Sequence, residues 1–311
     1  MHPTTRQTLS YLRTLFQQRG IVPKNKLGQN FLIDLNLIDL VVRTAELSAE
    51  DLALEVGSGT GGLTMRLVES AGAVVSAEVD PAFAALTREL VEAHFAMFAD
   101  GREAKGARKE NVRLIHGDAL ASKNTLSPEL LAAVAELSAR AGTKRIKLVA
   151  NLPYAVAVPV MSNLLLTDLP VERVVAMVQW EIAERLTAVP GTKDYAALAV
   201  LVQSLAEVSI VRRIAPSVFF PRPLVDSAIV LIRPDAAKRA HVGDPARFRA
   251  FLRGLYTHRR KNLRGALAGL PSGRVPKPEV DARLAELGIE GTTRAEALDL
   301  EQHLRLCRVF G

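Results

Sequence analysis

Four strand-like runs in this sequence end on polar residues whose types could serve one ligand. "DLALEV" carries Glu55 and runs into Gly57-x-Gly59, "AVVSAEVD" carries Glu78, "NVRLIHGDAL" leads to Asp118, and "KLVANLPY" reaches Asn151. Glycines at a turn let backbone approach a ligand closely. Glu78, about 20 residues further on, is placed to hold two ribose hydroxyls. A carboxylate only accepts hydrogen bonds, so Asp118 suits an exocyclic amine or the edge of a base. Gly57, Gly59 and Gly62 match the spacing G-x-G-x-x-G, which leaves a nicotinamide dinucleotide open. Glu55 disfavours it, because an acid ahead of the turn repels a pyrophosphate and attracts a cation. S-adenosylmethionine fits that pattern: a sulfonium, an ammonium, a ribose and an adenine, with no phosphate.

The fourth run raises a sharper question. Asn151–Leu152–Pro153–Tyr154 contains the Asn and Pro of an ordinary turn, but a turn has no need of a tyrosine. Beside a methyl donor, the Asn151 side chain would accept a hydrogen bond from an exocyclic amine, Pro153 would fix the backbone, and Tyr154 would stack on the base. The lone pair of an aromatic amine is delocalised, so positioning and hydrogen bonding must supply the activation. The plain alternative is a turn with a tyrosine plugging the core.

These residues converge only if their strands lie side by side and parallel. Strands alternating with amphipathic helices predict that arrangement: an α/β, doubly wound, mostly parallel sheet of Rossmann-like type, with ligands beyond the carboxyl ends of the strands. Further strands are expected at "VERVVAMVQ", "AEVSIVRRI" and "DSAIVLIRP", with helices at 181–189 and 194–205 between the first two. From about Pro234 strand signals fade. The expectation is a catalytic domain over 1–233 and a small basic helical domain over 234–311, joined by the linker "RPDAAKRAHVGD". The charged segment 99–110 reads as a surface excursion.

Charge is distributed unevenly. The net charge of +7 arises entirely after residue 230, where 16 Lys and Arg face 9 Asp and Glu. Arg247, Arg249, Arg253, Arg259, Arg260, Lys261 and Arg264 follow one another with no acid among them. A polyanion is the natural partner of such a run, and a solvated helix face is the plain alternative. One cysteine, Cys307, leaves no disulfide framework, and scattered histidines give no metal-ligand spacing. With no long apolar segment and no leader pattern, the sequence predicts a cytoplasmic, monomeric protein with no metal and no membrane association.

Taken together, "KLGQNFL", "EVGSGTGGLT", "GDAL", "NLPY" and "FFPRPLVDSAIV" resemble the KsgA/RsmA family of ribosomal RNA adenine-N6 dimethyltransferases, from Lys26 to "RAEALDLEQ". The resemblance implies S-adenosylmethionine as cofactor and transfer of two methyl groups to N6 of each of two adjacent adenosines near the 3′ end of small-subunit ribosomal RNA. It implies that residues 1–35 hold a segment that covers the cofactor, with Gln29, Asn30 and Leu32 in it. Glu55, Gly57, Gly59, Glu78, Asp118, Ala119 and Asn151 would contact the cofactor. Asn151, Leu152, Pro153 and Tyr154 would form the target-adenine loop, with the Leu152 carbonyl and the Asn151 side chain receiving N6. Phe219 would close the other face of the base; without the family it would simply be core. Arg222, Arg259, Arg260, Lys261 and Arg264 would meet RNA. Trp180 departs from the family, where a lysine is usual, and either stacks on RNA or packs.

Three other readings stand beside this one. A related branch methylates one adenine of large-subunit ribosomal RNA and confers macrolide resistance. A ribosome-assembly or transcription factor could keep the fold as a binding module, against which the intact Asn151–Tyr154 loop speaks. A nicotinamide oxidoreductase lacks a hydride-handling His or Tyr-x-x-x-Lys here.

Overall fold

A computed structural model describes residues 8–24, 27–98, 106–271 and 273–311. Residues 1–7, Lys26 and the first part of the charged excursion, 99–105, lie outside the described residues.

Seven strands make the main sheet: β1 (Asp51–Val56), β2 (Ala73–Glu78), β3 (Val112–His116), β4 (Arg145–Asn151), β5 (Val171–Gln179), β6 (Ala206–Ile214) and β7 (Ser227–Pro234). Their order across the sheet is β3-β2-β1-β4-β5-β7-β6. The pairings of β1 with β2 and β4, of β2 with β3 and of β4 with β5 are parallel, while β7 runs antiparallel to β5. The strand order reverses between β1 and β4, the position at which open α/β sheets hold ligands. Every residue of β1 and β2 is buried. That is the mark of parallel strands covered on both faces, and it explains why these runs do not alternate apolar with polar, their buried polar residues Asp51, Glu55, Ser76 and Glu78 finding partners inside.

The crossover helices are started by their own sequence. Asp80 caps Pro81–Ala96, its side chain accepting from the Ala82 N–H at 3.0 Å, and Pro81 supplies the first turn where no donor is needed. Asp34 caps Leu35–Ala45, accepting from the Asn36 N–H at 2.9 Å. A two-residue antiparallel pair, Phe31 with Phe220 and Leu32 with Phe219, ties the "GQNFL" segment to "FFPRP". Two-residue strands carry no usable period, so the sequence does not announce this pair.

The chain divides into two compact units, Met1–Trp180 with Ile210–Ile232, and Glu181–Ser209 with Arg233–Gly311. One edge of that division lies between Ile232 and Arg233. Residues 181–209, expected in the first domain, fall in the second unit instead. Their helices, Trp180–Leu186 and Ala197–Gln203, sit between two sheet strands in sequence, so they look like a crossover. The supposed linker is also structured: Ala236–Val242 is a helix capped by Asp235. In the second unit Phe248, Leu252, Leu267 and Leu306 are buried. Asp299 and Gln302 make a reciprocal capping box at the start of the last helix, Leu300–Phe310. Among the described residues, no helix is long and apolar enough to cross a membrane.

Candidate active site

A cavity opens at the carboxyl ends of β1, β2 and β4, with about 1170 Å³ of empty space counted out to its mouth. Gln29, Asn30, Leu32, Glu55, Gly57, Gly59, Glu78, Asp118, Ala119 and Asn151 all line it, so the residues expected at the cofactor are brought together. Pro153 lines it too. Three chain segments close around it. A Cβ on Gly57 would lie 3.2 Å from the Pro153 ring, and one on Gly59 would lie 2.9 Å from Phe31 Cε1. Both glycines also have positive φ, 85° and 52°. The Gly-rich turn thus fits between the target loop and the N-terminal segment only because it has no side chains there.

Glu55 is 1 % exposed. Its Oε2 accepts hydrogen bonds from Thr64 Oγ1 and Ser76 Oγ, each at 2.6 Å, while Oε1 has no partner among the described residues. Burial raises the carboxyl to about 7, the two hydroxyls work against that rise, and the nearby Glu78 adds to it. Glu78 is also raised, again by burial above all, although the Asp80 and Gly59 N–H groups at 2.9 Å hold its two oxygens in place. Among the described residues no cation is bonded to either buried acid, so the cavity suits a positive group. Asp118 is exposed, its Oδ1 accepting from the Leu120 N–H at 2.9 Å, and Ala119 is buried behind it.

Asn151 Nδ2 donates to the Asn30 carbonyl at 2.9 Å. A carbonyl can only accept, so the amide is turned with its Oδ1 left as an acceptor. The Leu152 N–H donates to Met177 O at 3.2 Å, and the Pro153 carbonyl accepts from Val156 and Ala157, starting the helix Ala157–Leu166. The loop is therefore fixed at both ends. Tyr154 is half-buried, its hydroxyl 2.9 Å from Ser227 Oγ on β7, and burial raises its phenol.

Not every expected residue reaches the cavity wall. Leu152 and Tyr154 are absent from it, although Tyr154 follows Pro153 directly. Phe219 is 3 % exposed and packs in the hydrophobic core with Leu32, Val41 and Met177. It stands opposite Leu32 in the short antiparallel pair and is not among the residues that line the cavity. Gln29 lines the cavity but spends its amide on structure: Oε1 accepts from the Lys24 N–H at 2.6 Å and Nε2 donates to Asp80 at 3.1 Å. Lys24 Nζ also meets Asp80, at 2.8 Å. That clasp on the N-terminal segment was missed in the sequence, although the Asp80 cap position was its one visible signal.

The basic residues sort into two kinds. Arg259 donates to the Lys193 and Tyr195 carbonyls and lies 3.8 Å from Glu296. Arg264 pairs with Asp281 at 2.7 Å. Both are committed inside the second unit, which a bare count of charges could not reveal. Arg260 and Lys261 are exposed, as is Arg222 in the first unit.

The chemistry of this donor set fits S-adenosylmethionine: a buried acid with one oxygen unpaired among the described residues, a second carboxylate held by two backbone N–H groups, and a turn stripped of side chains. Known proteins agree. A match to the family described as Ribosomal RNA adenine dimethylase spans residues 22–310. The chain is 38 % identical to the Ribosomal RNA small subunit methyltransferase A of Pelotomaculum thermopropionicum, covering 96 % of this chain and 95 % of that protein. It is 34 % identical to the protein of the same name from Geobacillus thermodenitrificans, covering 94 % and 93 %. A dimethyladenosine transferase from Plasmodium falciparum shares the fold, with a TM-score of 0.66, 23 % identity and coverage of 89 % and 95 %. The 23S rRNA methyltransferase ErmE follows with a TM-score of 0.58, 25 % identity and coverage of 90 % and 99 %. With the strand order, the lined cavity and a match over nearly its whole length, the chain belongs to the ribosomal RNA adenine dimethylase family.

Proposed function

We propose that this protein dimethylates N6 of adenosines in small-subunit ribosomal RNA, with S-adenosylmethionine as donor. The single observation that carries the reading is the orientation of Asn151, a residue of the cavity lining whose amide is anchored by the Asn30 carbonyl so that this bond leaves its acceptor oxygen free. An acceptor there can hold an N6 hydrogen and turn the amine lone pair toward its target, which is the activation a weak aromatic nucleophile needs. S-adenosylmethionine supplies the electrophilic methyl group. Glu78 would hold its ribose and Asp118 its base, while Glu55 sets a negative potential for its cationic end. Tyr154, steadied by Ser227, and Pro153 would position the adenine, which must leave its stack to enter. Arg222, Arg260 and Lys261 would meet RNA phosphates.

Identity of 38 % and 34 % over nearly the whole chain to proteins named for the small subunit favours that substrate over the large-subunit one. Such a substrate puts the protein in the cytoplasm. The test is direct: incubate the protein with labelled S-adenosylmethionine and small subunits lacking the modification, digest the RNA and look for labelled dimethyladenosine. Label in any other nucleoside, or none, contradicts the reading.

A further inference from the structure

We propose that Trp180 is a stacking residue for the nucleotide beside the target adenosine, held ready by Arg213 and Asp226. The inference rests on the RNA methyltransferase reading above. Trp180 is the first residue beyond β5 and stays partly exposed. Its backbone N–H donates to Asp226 O at 2.9 Å. The Arg213 guanidinium on β6 lies 4.4 Å from the centre of the indole. Arg213 is in turn held by Asp226 Oδ2, 2.7 Å from Nε and 2.5 Å from the second arm. The indole and its cation are thus already ordered, and stacking a base on them costs little further side-chain freedom.

The position of this cluster gives it a role. Gln179, the residue before Trp180, pairs with Ser227 across β5 and β7. Ser227 is the residue that holds the Tyr154 hydroxyl, at 2.9 Å. The indole therefore sits one residue from the strand pair that steadies the target loop. The chain leading into Asp226 extends the same neighbourhood: Arg222 is exposed, Leu224 is 100 % exposed and Val225 is 45 % exposed. Single exposed apolar residues are common. An ordered indole, the exposed Arg222 and an apolar loop tip together match a nucleotide, with its base on the ring and its phosphate on Arg222. The occupant is the substrate RNA, because the cluster lies at the end of the β5–β7 pair whose Ser227 holds Tyr154 of the expected target loop.

The test compares Trp180→Leu with Trp180→Phe in the full chain, assayed on unmethylated small subunits. The Leu variant should raise KM for subunits about tenfold, the Phe variant should stay within about twofold, and the Kd for S-adenosylmethionine should not move in either. An unchanged KM in the Leu variant overturns the proposal, and so does a cofactor Kd that shifts as much as KM. A second measurement needs no variant, since Trp180 is the single tryptophan of the chain. Its emission should be quenched when a synthetic RNA hairpin with two adjacent loop adenosines binds. Quenching should vanish when the base flanking the target is made abasic. Unquenched emission with hairpin binding confirmed by anisotropy overturns the proposal. If wild-type protein forms dimethyladenosine while these signals fail, only the role of Trp180 falls; if none forms, the reading beneath it falls as well.

Discussion

The two ends of β1 bury one acid each, and the chain treats them in opposite ways. At the foot, Asp51 is 0 % exposed. It accepts from Lys147 Nζ at 3.0 Å, Arg145 Nε at 2.7 Å, and the Ser48 N–H and hydroxyl at 2.8 and 2.9 Å. Burial would push its carboxyl up, but Lys147, Ser48 and Arg145 together hold it below the usual range. At the tip, Glu55 is just as inaccessible, yet among the described residues it receives two hydroxyls on one oxygen and nothing on the other. Its carboxyl rises to about 7. Neither side chain reaches solvent, but cationic and hydroxyl partners outweigh burial at Asp51, whereas burial outweighs two hydroxyls at Glu55. The foot is finished by its own chain. The tip is left for something positive to complete.

The largest effect should come from breaking the foot. Lys147→Met leaves Asp51 buried with fewer partners, and removing one member of a buried pair costs about 3–5 kcal/mol. Denaturant titration should register that loss. A variant as stable as wild type would mean that the foot and tip do not differ as described.

Next in size, Asn151→Ala should lower turnover about a hundredfold, since the acceptor that orients N6 is gone. Single-turnover methylation would measure it, and a rate near wild type would remove Asn151 from the chemistry. Tyr154→Ala should also reduce turnover more than cofactor affinity, because its expected partner is the base. Tyr154→Phe loses only the bond to Ser227, about 1 kcal/mol, and should have a milder effect.

A sharper contrast is in pH. Glu55 is raised in the folded protein, so its contribution to stability is fully present below the unfolded value of 4.5 and is lost as pH rises to about 7. Asp51 is depressed, so its contribution is present above 3.8 and is lost as pH falls through its lower folded value. Above pH 7, Glu55→Gln should stabilise the cofactor-free protein, while Asp51→Asn should destabilise it. Thermal melts at pH 8 test the signs, and two shifts of the same sign would break the contrast.

The smallest effect belongs to the exposed cations. Neutralising Arg260 and Lys261 together should reduce the slope of log affinity for RNA against log salt by about 2. An unaltered slope would return that pair to an ordinary solvated surface.

Much of this molecule is readable in its sequence, for reasons that also mark where reading stops. β1, β2 and β4 are largely apolar runs with polar ends, so both the sheet and the tip residues Glu55, Glu78 and Asn151 can be named in advance. Phe219 cannot be placed, since a phenylalanine in a motif and one in a core look alike until Leu32 is seen to pair with it. Residues 181–209 read as a crossover because helix periodicity does not say which body a helix packs on. Arg259 and Arg264 count as free charge in the sequence, and only folding shows them bound to Tyr195 and Asp281. The Lys24–Asp80–Gln29 clasp joins positions too far apart in the chain for any local pattern.

Calorimetry of S-adenosylmethionine binding between pH 6 and 7.5, on wild type and Glu55→Gln side by side, tests the tip of β1 most directly. Wild-type affinity should tighten with rising pH and binding should release a proton, as a cation draws Glu55 into its ionised form, whereas the Gln variant should show neither. Identical pH profiles for the two proteins would mean that the unpaired acid is not what the cavity offers its ligand.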